Sequence, residues 1–300
     1  MRSQAKTGGL PGLLGRNGRR SGTGAPRFRS LGHEMGKRKP YLRSTVWALF
    51  LWAALRIGNY AAAFPWVLND APDVTQDIRT RVEFAYAAAH TAAQATNSVT
   101  NLWHLGRAAF DRAALESRAE TKSSFAEVGI TASRAALQKD PKSAPAHYYL
   151  ALCLGELART RKFSALRLIR EMQQEFERAR GLDETLDFAG PDRGLGMLYL
   201  EAPGWPTSIG DRKKARSHLE QAVKLAGEYP DNHLSLLEAL LRAKDARATE
   251  AEWAVLESIW PKAREQFSGE SWDNDWIDWE SRRAGLEARV RRLLPRTLAK

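Results

Sequence analysis

A chain of 300 residues, 43% hydrophobic and 27% charged, can bury one substantial core or build a stack of helical repeats, and its composition is that of a globular protein. The net charge of +11 would fit a phosphate-gripping protein if it covered a folded face, but residues 1–45 carry eleven Lys and Arg against the lone acid Glu34. That leaves +1 for residues 46–300, so no nucleic-acid partner is expected. The single cysteine, Cys153, excludes an internal disulfide and a cysteine-rich metal site, and its place in the apolar run Tyr148–Leu154 reads as a buried thiol.

Residues 1–36 hold nine of the 22 glycines with Pro11 and Pro26 and no apolar periodicity. Such a segment cannot offset its ordering entropy and is expected to be a disordered basic leader, with Met35 an alternative start. In residues 37–68, Lys37, Arg38, Lys39 and Arg43 precede an apolar run from Thr45 to Leu55, and Ala61-Ala62-Ala63 offers a small-residue cleavage site. That order is the pattern of a secretory signal peptide. A retained anchor over Val46–Leu68 is the alternative, and Arg56 within it would cost about 2.5–3.5 kcal/mol near a bilayer centre.

From Thr75 to Lys300 apolar residues recur at helical spacing between Pro/Gly loops, with no hairpin signal, so the body is expected to be all-α. Leu105-Gly106, Leu150-Ala151 and Leu195-Gly196 recur every 45 residues. Gly129/Ser133/Ala136, Met172/Phe176/Ala179 and Ala215/Leu219/Ala222 recur every 43. Two interleaved beats of near-equal period predict a helix pair repeated three times, an antiparallel helix-pair solenoid of tetratricopeptide-like repeats. The repeat is longer than the usual tetratricopeptide unit, and the 23, 21 and 19 residues between the Gly-type and Ala-type positions place the surplus in the turn within each pair. A fourth pair is expected, with Asp231–Arg242 as its first helix and a second opened by the capping box Thr249-x-x-Glu252. Trp272, Trp276 and Trp279 then predict one face of a last helix that caps the stack.

Taking the Leu-Gly pair as register, the inward positions are Tyr148, Leu152, Glu156, Arg193, Met197 and Glu201, a mixed apolar and charged groove for a partner or ligand. Arg193 either clamps a carboxylate of that partner or bridges adjacent helices. Ala202-Pro203-Gly204-Trp205-Pro206 reads as a rigid loop that holds Trp205 either as a plug in a helix groove or as a ligand contact.

The stretch Gly190–Asp211, continuing through Lys214-Ala215-Arg216 to Tyr229-Pro230-Asp231-Asn232-His233, resembles the bacterial tetratricopeptide proteins grouped with the T component of TRAP transporters. The resemblance implies a non-catalytic scaffold of the periplasm or cell envelope that associates with a solute-binding protein. It departs from lipidated relatives in lacking a leader cysteine. A small-molecule or lipid carrier with an apolar pocket between its helices is the alternative, and a homo-oligomer is compatible with either.

No chemistry is expected. The six histidines form no H-E-x-x-H and no pair at i, i+4, and G-x-x-x-x-G-K and G-x-S-x-G are both missing. No metal or cofactor is therefore predicted, and Asp273, Asp275 and Asp278 read as a solvated face.

Overall fold

The computed structural model describes residues 72–161 and 164–294, all within one compact unit. The leader expected over 1–36 and the signal or anchor expected over 37–68 lie outside the described residues. Ten α-helices and one 3-10 turn span the described residues: α1 (Pro72–Ala95), α2 (Val99–Ala114), α3 (Ala119–Lys139), α4 (Ala144–Thr160), α5 (Ala165–Leu182), α6 (Leu186–Glu201), α7 (Arg212–Leu225), α8 (Pro230–Ala243), α9 (Ala246–Gln266), η1 (Glu270–Trp272) and α10 (Asp273–Leu293). Among them no helix is long and apolar enough to cross a membrane.

Local chemistry sets the helix starts. Ser98, Ser143, Asp211 and Asp245 each accept a backbone N–H of the first turn of α2, α4, α7 and α9. α8 opens on Pro230, whose missing N–H costs nothing at a helix start. Asp245 corrects the expected capping box, because α9 begins before Thr249, which is buried within it.

Each helix packs on the next, and α2, α4, α6, α8 and α10 also touch in sequence. The first helices of the pairs therefore form one layer and α3, α5, α7 and α9 the other, the arrangement of a helix-pair solenoid. The small-residue positions make this possible. A Cβ on Gly106 would lie 2.3 Å from Ser133 Oγ, and one on Gly129 would lie 2.4 Å from Cys153 Sγ and 3.1 Å from the carbonyl of Gly106. A Cβ on Gly196 would lie 2.5 Å from Leu219 Cγ. Both recurring sets thus meet across the seam inside the first and third pairs.

The surplus length is distributed differently from the expectation. In the first two units it extends the helices, with 21 residues in α3, 17 in α4 and 18 in α5. Only the third unit carries it in the turn, residues 202–211. Continuous apolar faces on α3 and α5 allow further helical turns, whereas Pro203 and Pro206 prevent them.

Two main cores fill the stack. The larger joins α4, α5 and α6 around Leu154, Met172, Phe176 and Leu195. The second gathers Tyr229, Phe267, Trp272, Trp276 and Trp279, where the Trp279 ring meets Tyr229 edge-on at 5.2 Å and Trp276 Nε1 donates to the Phe267 carbonyl at 2.5 Å. Trp276 and Trp279 lie on α10, while Trp272 lies in the preceding 3-10 turn. Cys153 is buried, its thiol donates to the Gly106 carbonyl at 3.5 Å, and burial pushes its pKa well up, so it is an inert part of the seam.

Replacing Gly196 by Ala forces a methyl into Leu219 and should lower stability by about 1–3 kcal/mol. Urea unfolding followed by circular dichroism measures it, and an unchanged midpoint would show that the seam is looser than described.

Candidate partner-binding surface

The inner face begins at an unusual piece of backbone. Asp187, Phe188 and Ala189 have φ of 59°, 53° and 60°, one left-handed turn ahead of the right-handed part of α6. For residues with a Cβ this costs about 1–2 kcal/mol each, so something must hold it. Arg193 does: its guanidinium donates to the Phe188 carbonyl at 3.1 Å and pairs with the Asp187 carboxylate at 3.2 Å. Tyr148 Oη donates to the same carboxylate at 2.7 Å, and Asn232 Nδ2 donates to the Phe188 carbonyl at 3.0 Å. Gly190 leaves room for the Tyr148 hydroxyl, which a Cβ there would approach to 2.5 Å.

Arg193 also joins α6 to α8 and, through α8, to α10. It pairs with Asp231 at 3.0 Å and donates to Asn232 Oδ1 at 2.9 Å. On the other oxygen of Asp231 sits Arg282 of α10, which also reaches Ser235 Oγ at 3.1 Å and Glu238 at 3.2 Å. These charges are buried, a situation tolerable only because each guanidinium meets several acceptors. Burial raises the Glu238 pKa, and Arg282 opposes that rise.

The seven expected site residues fall into three groups. Tyr148, Leu152, Arg193 and Met197 converge around a cavity of about 10 Å³, which accommodates one water at most. Leu152 and Met197 are core residues. Glu156 and Glu201 lie further along the inner face, both with buried carboxylates: Glu156 meets Lys122 at 2.9 Å and Arg159 at 2.8 Å, and Glu201 pairs with Arg242. Burial raises the Glu201 pKa against the pull of Arg242. Trp205 stands alone in being 89% exposed at the tip of its loop, so the plug expectation does not hold. The loop is closed beneath it by Gly210 N–H to the Pro203 carbonyl at 2.8 Å and Asp211 N–H to the Tyr199 carbonyl at 2.9 Å.

Several features were missed in the sequence. In α4, His147 lies 2.5 Å through Nδ1 from Glu175 of α5 and 2.9 Å through Nε2 from the Pro141 carbonyl. In α8, His233 repeats the geometry with Glu252 of α9 at 2.6 Å and the Gly227 carbonyl at 2.8 Å. In the intervening pair the roles are exchanged, Asp192 of α6 meeting His218 of α7 at 2.7 Å. A first-turn residue of the inner helix therefore staples it to the outer helix in three successive pairs. The recurrence, a His six residues after the carbonyl it meets, was present in the sequence, but the acidic partner lies at a different spacing each time.

The acids at the start of α10 are also corrected from a solvated face. Asp273 pairs with Arg81 of α1 at 3.2 Å, Asp275 is fully buried, and Asp278 lies 3.5 Å from Arg282. Larger cavities lie elsewhere, among them one of about 270 Å³ beside Arg264 and Trp276. One of about 330 Å³ separates the alanine face of α1 from His104, Arg107 and Asp111, and an open one of about 700 Å³ lies between α1 and α3. Among the described residues no group of three or more His, Cys, Asp or Glu is placed to hold a metal.

Arg193→Met or Arg282→Met leaves Asp231 buried with half its compensation, and each should cost about 3–5 kcal/mol in denaturant unfolding. A loss below about 1 kcal/mol would mean that solvent reaches the network. His147 gives a pH signature. Burial lowers its pKa, but the hydrogen bonds to Glu175 and the Pro141 carbonyl outweigh burial and raise it above 6.5. The pair's contribution is then complete below pH 6.5 and is lost as pH rises through the higher folded-state value. The stability difference between the protein and its His147→Gln variant should shrink from acid to mildly alkaline pH, whereas a difference that grows would reverse the assignment.

Residues 70–188 match the family model described as Regulator of microtubule dynamics protein 1-3. No curated protein matches the chain. The matched residues run from α1 to the left-handed turn, and this similarity overturns the resemblance to the TRAP-transporter T component. The periplasmic or envelope placement, the solute-binding partner, the transporter scaffold and the lipid-carrier alternative fall with it. The stretch Gly190–Asp211 that carried the resemblance lies outside the match, and its residues have structural explanations: Arg193 holds the turn, Gly194 faces the Phe176 ring and Gly196 faces Leu219.

Proposed function

We propose that this chain is a binding protein rather than an enzyme, and that it acts as a regulator of microtubule dynamics through contacts with another protein. The observation that carries the reading is the family match over residues 70–188, which takes in both layers of the solenoid from α1 through α5. The match covers less than half of the chain, so the role of α6–α10 rests on their continuity with the matched helices through the α4–α6 and α5–α6 packing. A solenoid suits such a role, since repeated helix pairs build an extended rigid surface without a catalytic cleft. The side chains that would otherwise draw a catalytic interpretation favour the binding one. His147, His218 and His233 each face a carboxylate across a helix seam, and Cys153 is an uncharged buried thiol.

The test is direct. Purified full-length chain added to dynamic microtubules, with single filaments followed by fluorescence microscopy, should change growth rate, shortening rate or the frequency of switching between them. Unaltered dynamics at protein concentrations up to those of tubulin would remove the reading.

A further inference from the structure

The turns α6–α7 and α8–α9 form one continuous surface. Arg242 at the end of α8 pairs with Glu201 at the end of α6 and donates to the Leu200 carbonyl at 3.3 Å, and Arg216 of α7 reaches Asp245 in the next turn at 2.8 Å. On this edge stand Arg212, Lys213, Lys214, Lys244 and Arg247, all exposed. Among the described residues none of the five has a carboxylate within salt-bridge distance, although Lys214 lies over the Tyr199 ring at 5.3 Å.

These cations are placed against the fold's own preferences. Arg212, Lys213 and Lys214 occupy the first turn of α7, and Arg247 that of α9, and neither turn contains an acid. A helix N-terminus carries partial positive charge, so each cation there is unfavourable, and the capping carboxylates of Asp211 and Asp245 offset it in part. Lys244 ends α8 in the left-handed region at φ 56°, a position where glycine would avoid strain. Beyond the Lys214–Tyr199 contact and the attraction of the two capping carboxylates, folding gives these cations no partner among the described residues, whereas a surface that recruits negative charge uses them. The α6–α7 turn that leads into these cations carries Trp205, 89% exposed on a loop closed by its own hydrogen bonds, which gives an aromatic anchor that loses little entropy on binding.

We propose that the edge formed by the α6–α7 and α8–α9 turns docks an extended acidic segment of a protein partner, with Trp205 as its apolar anchor. Asp211 and Asp245 interrupt the cations at the same edge. An extended chain can alternate its carboxylates around them, whereas a continuous phosphate surface cannot. The inference does not depend on the microtubule reading, and its test contains no tubulin.

Because residues 1–45 are strongly basic, the experiment compares two variants of the full chain with equal net charge. One carries Arg212→Glu, Lys213→Glu and Lys214→Glu; the other carries Lys139→Glu, Lys142→Glu and Lys224→Glu, exposed residues at the opposite ends of the helices. The probe is a fluorescent glutamate-rich peptide with a central leucine, followed by anisotropy. The edge variant should bind about tenfold more weakly than the control variant, and Trp205→Ala alone should lose about as much. The edge variant should also melt no lower than the parent, since acids replace cations in a first turn. Equal binding by the two triple variants would overturn the proposal. So would an edge-specific loss seen with phosphatidylserine vesicles or duplex DNA and absent with the peptide.

Discussion

Where Gly129 of α3 faces Gly106 of α2, no side chain separates the two helices, and the rest of the solenoid depends on that closeness. The same contact recurs at Gly196 against Ala215 and Leu219, and with Ala151 in the middle unit the inner helix presents a small residue each time. Close approach in every pair keeps the inner helices in one layer, so that polar side chains at matching heights meet across it. The Arg193–Asp231–Arg282 ladder is possible only because α6, α8 and α10 follow one another at helix-packing distance.

The ladder and the left-handed turn illustrate how stability and specificity separate. Three residues at positive φ and several buried charges are each unfavourable alone. Together they are mutually satisfied: the strained carbonyls accept from Arg193 and Asn232, and Asp231, which holds Arg193, also holds Arg282. Such an arrangement tolerates few alternative registers between α6, α8 and α10. The histidine staples act similarly between the layers, tying the first turn of an inner helix to its outer partner.

The all-helical fold was legible because its signals are local and periodic. The seam positions Gly106, Gly129, Ser133, Gly196 and Leu219 declared themselves through spacing and occupy the seam in the structure. Turn length was less legible, since a helix continues for as long as an apolar face is available, and α3 and α5 used the surplus that spacing alone assigned to a loop. The inner-face positions were only partly readable. Tyr148, Leu152, Arg193 and Met197 line one small cavity, but whether a groove stays open depends on side chains from α8, such as Asp231 and Ser235, which no local pattern announces. The left-handed turn gave no signal, because Asp187-Phe188-Ala189 contains no glycine. The motif around Gly190–Asp211 misled for a related reason: its glycines and arginine answer packing needs shared by many helical repeats, so they mark architecture more strongly than family.

Native-state hydrogen exchange of the full chain, read by mass spectrometry, tests the seam most directly. If close helix pairing holds the solenoid together, amides of α4, α6 and α8 exchange slowest and as one cooperative group, well behind those of α1, which packs mainly on α2 and exposes Phe84. Exchange in α6 and α8 as fast as in α1 would contradict the account.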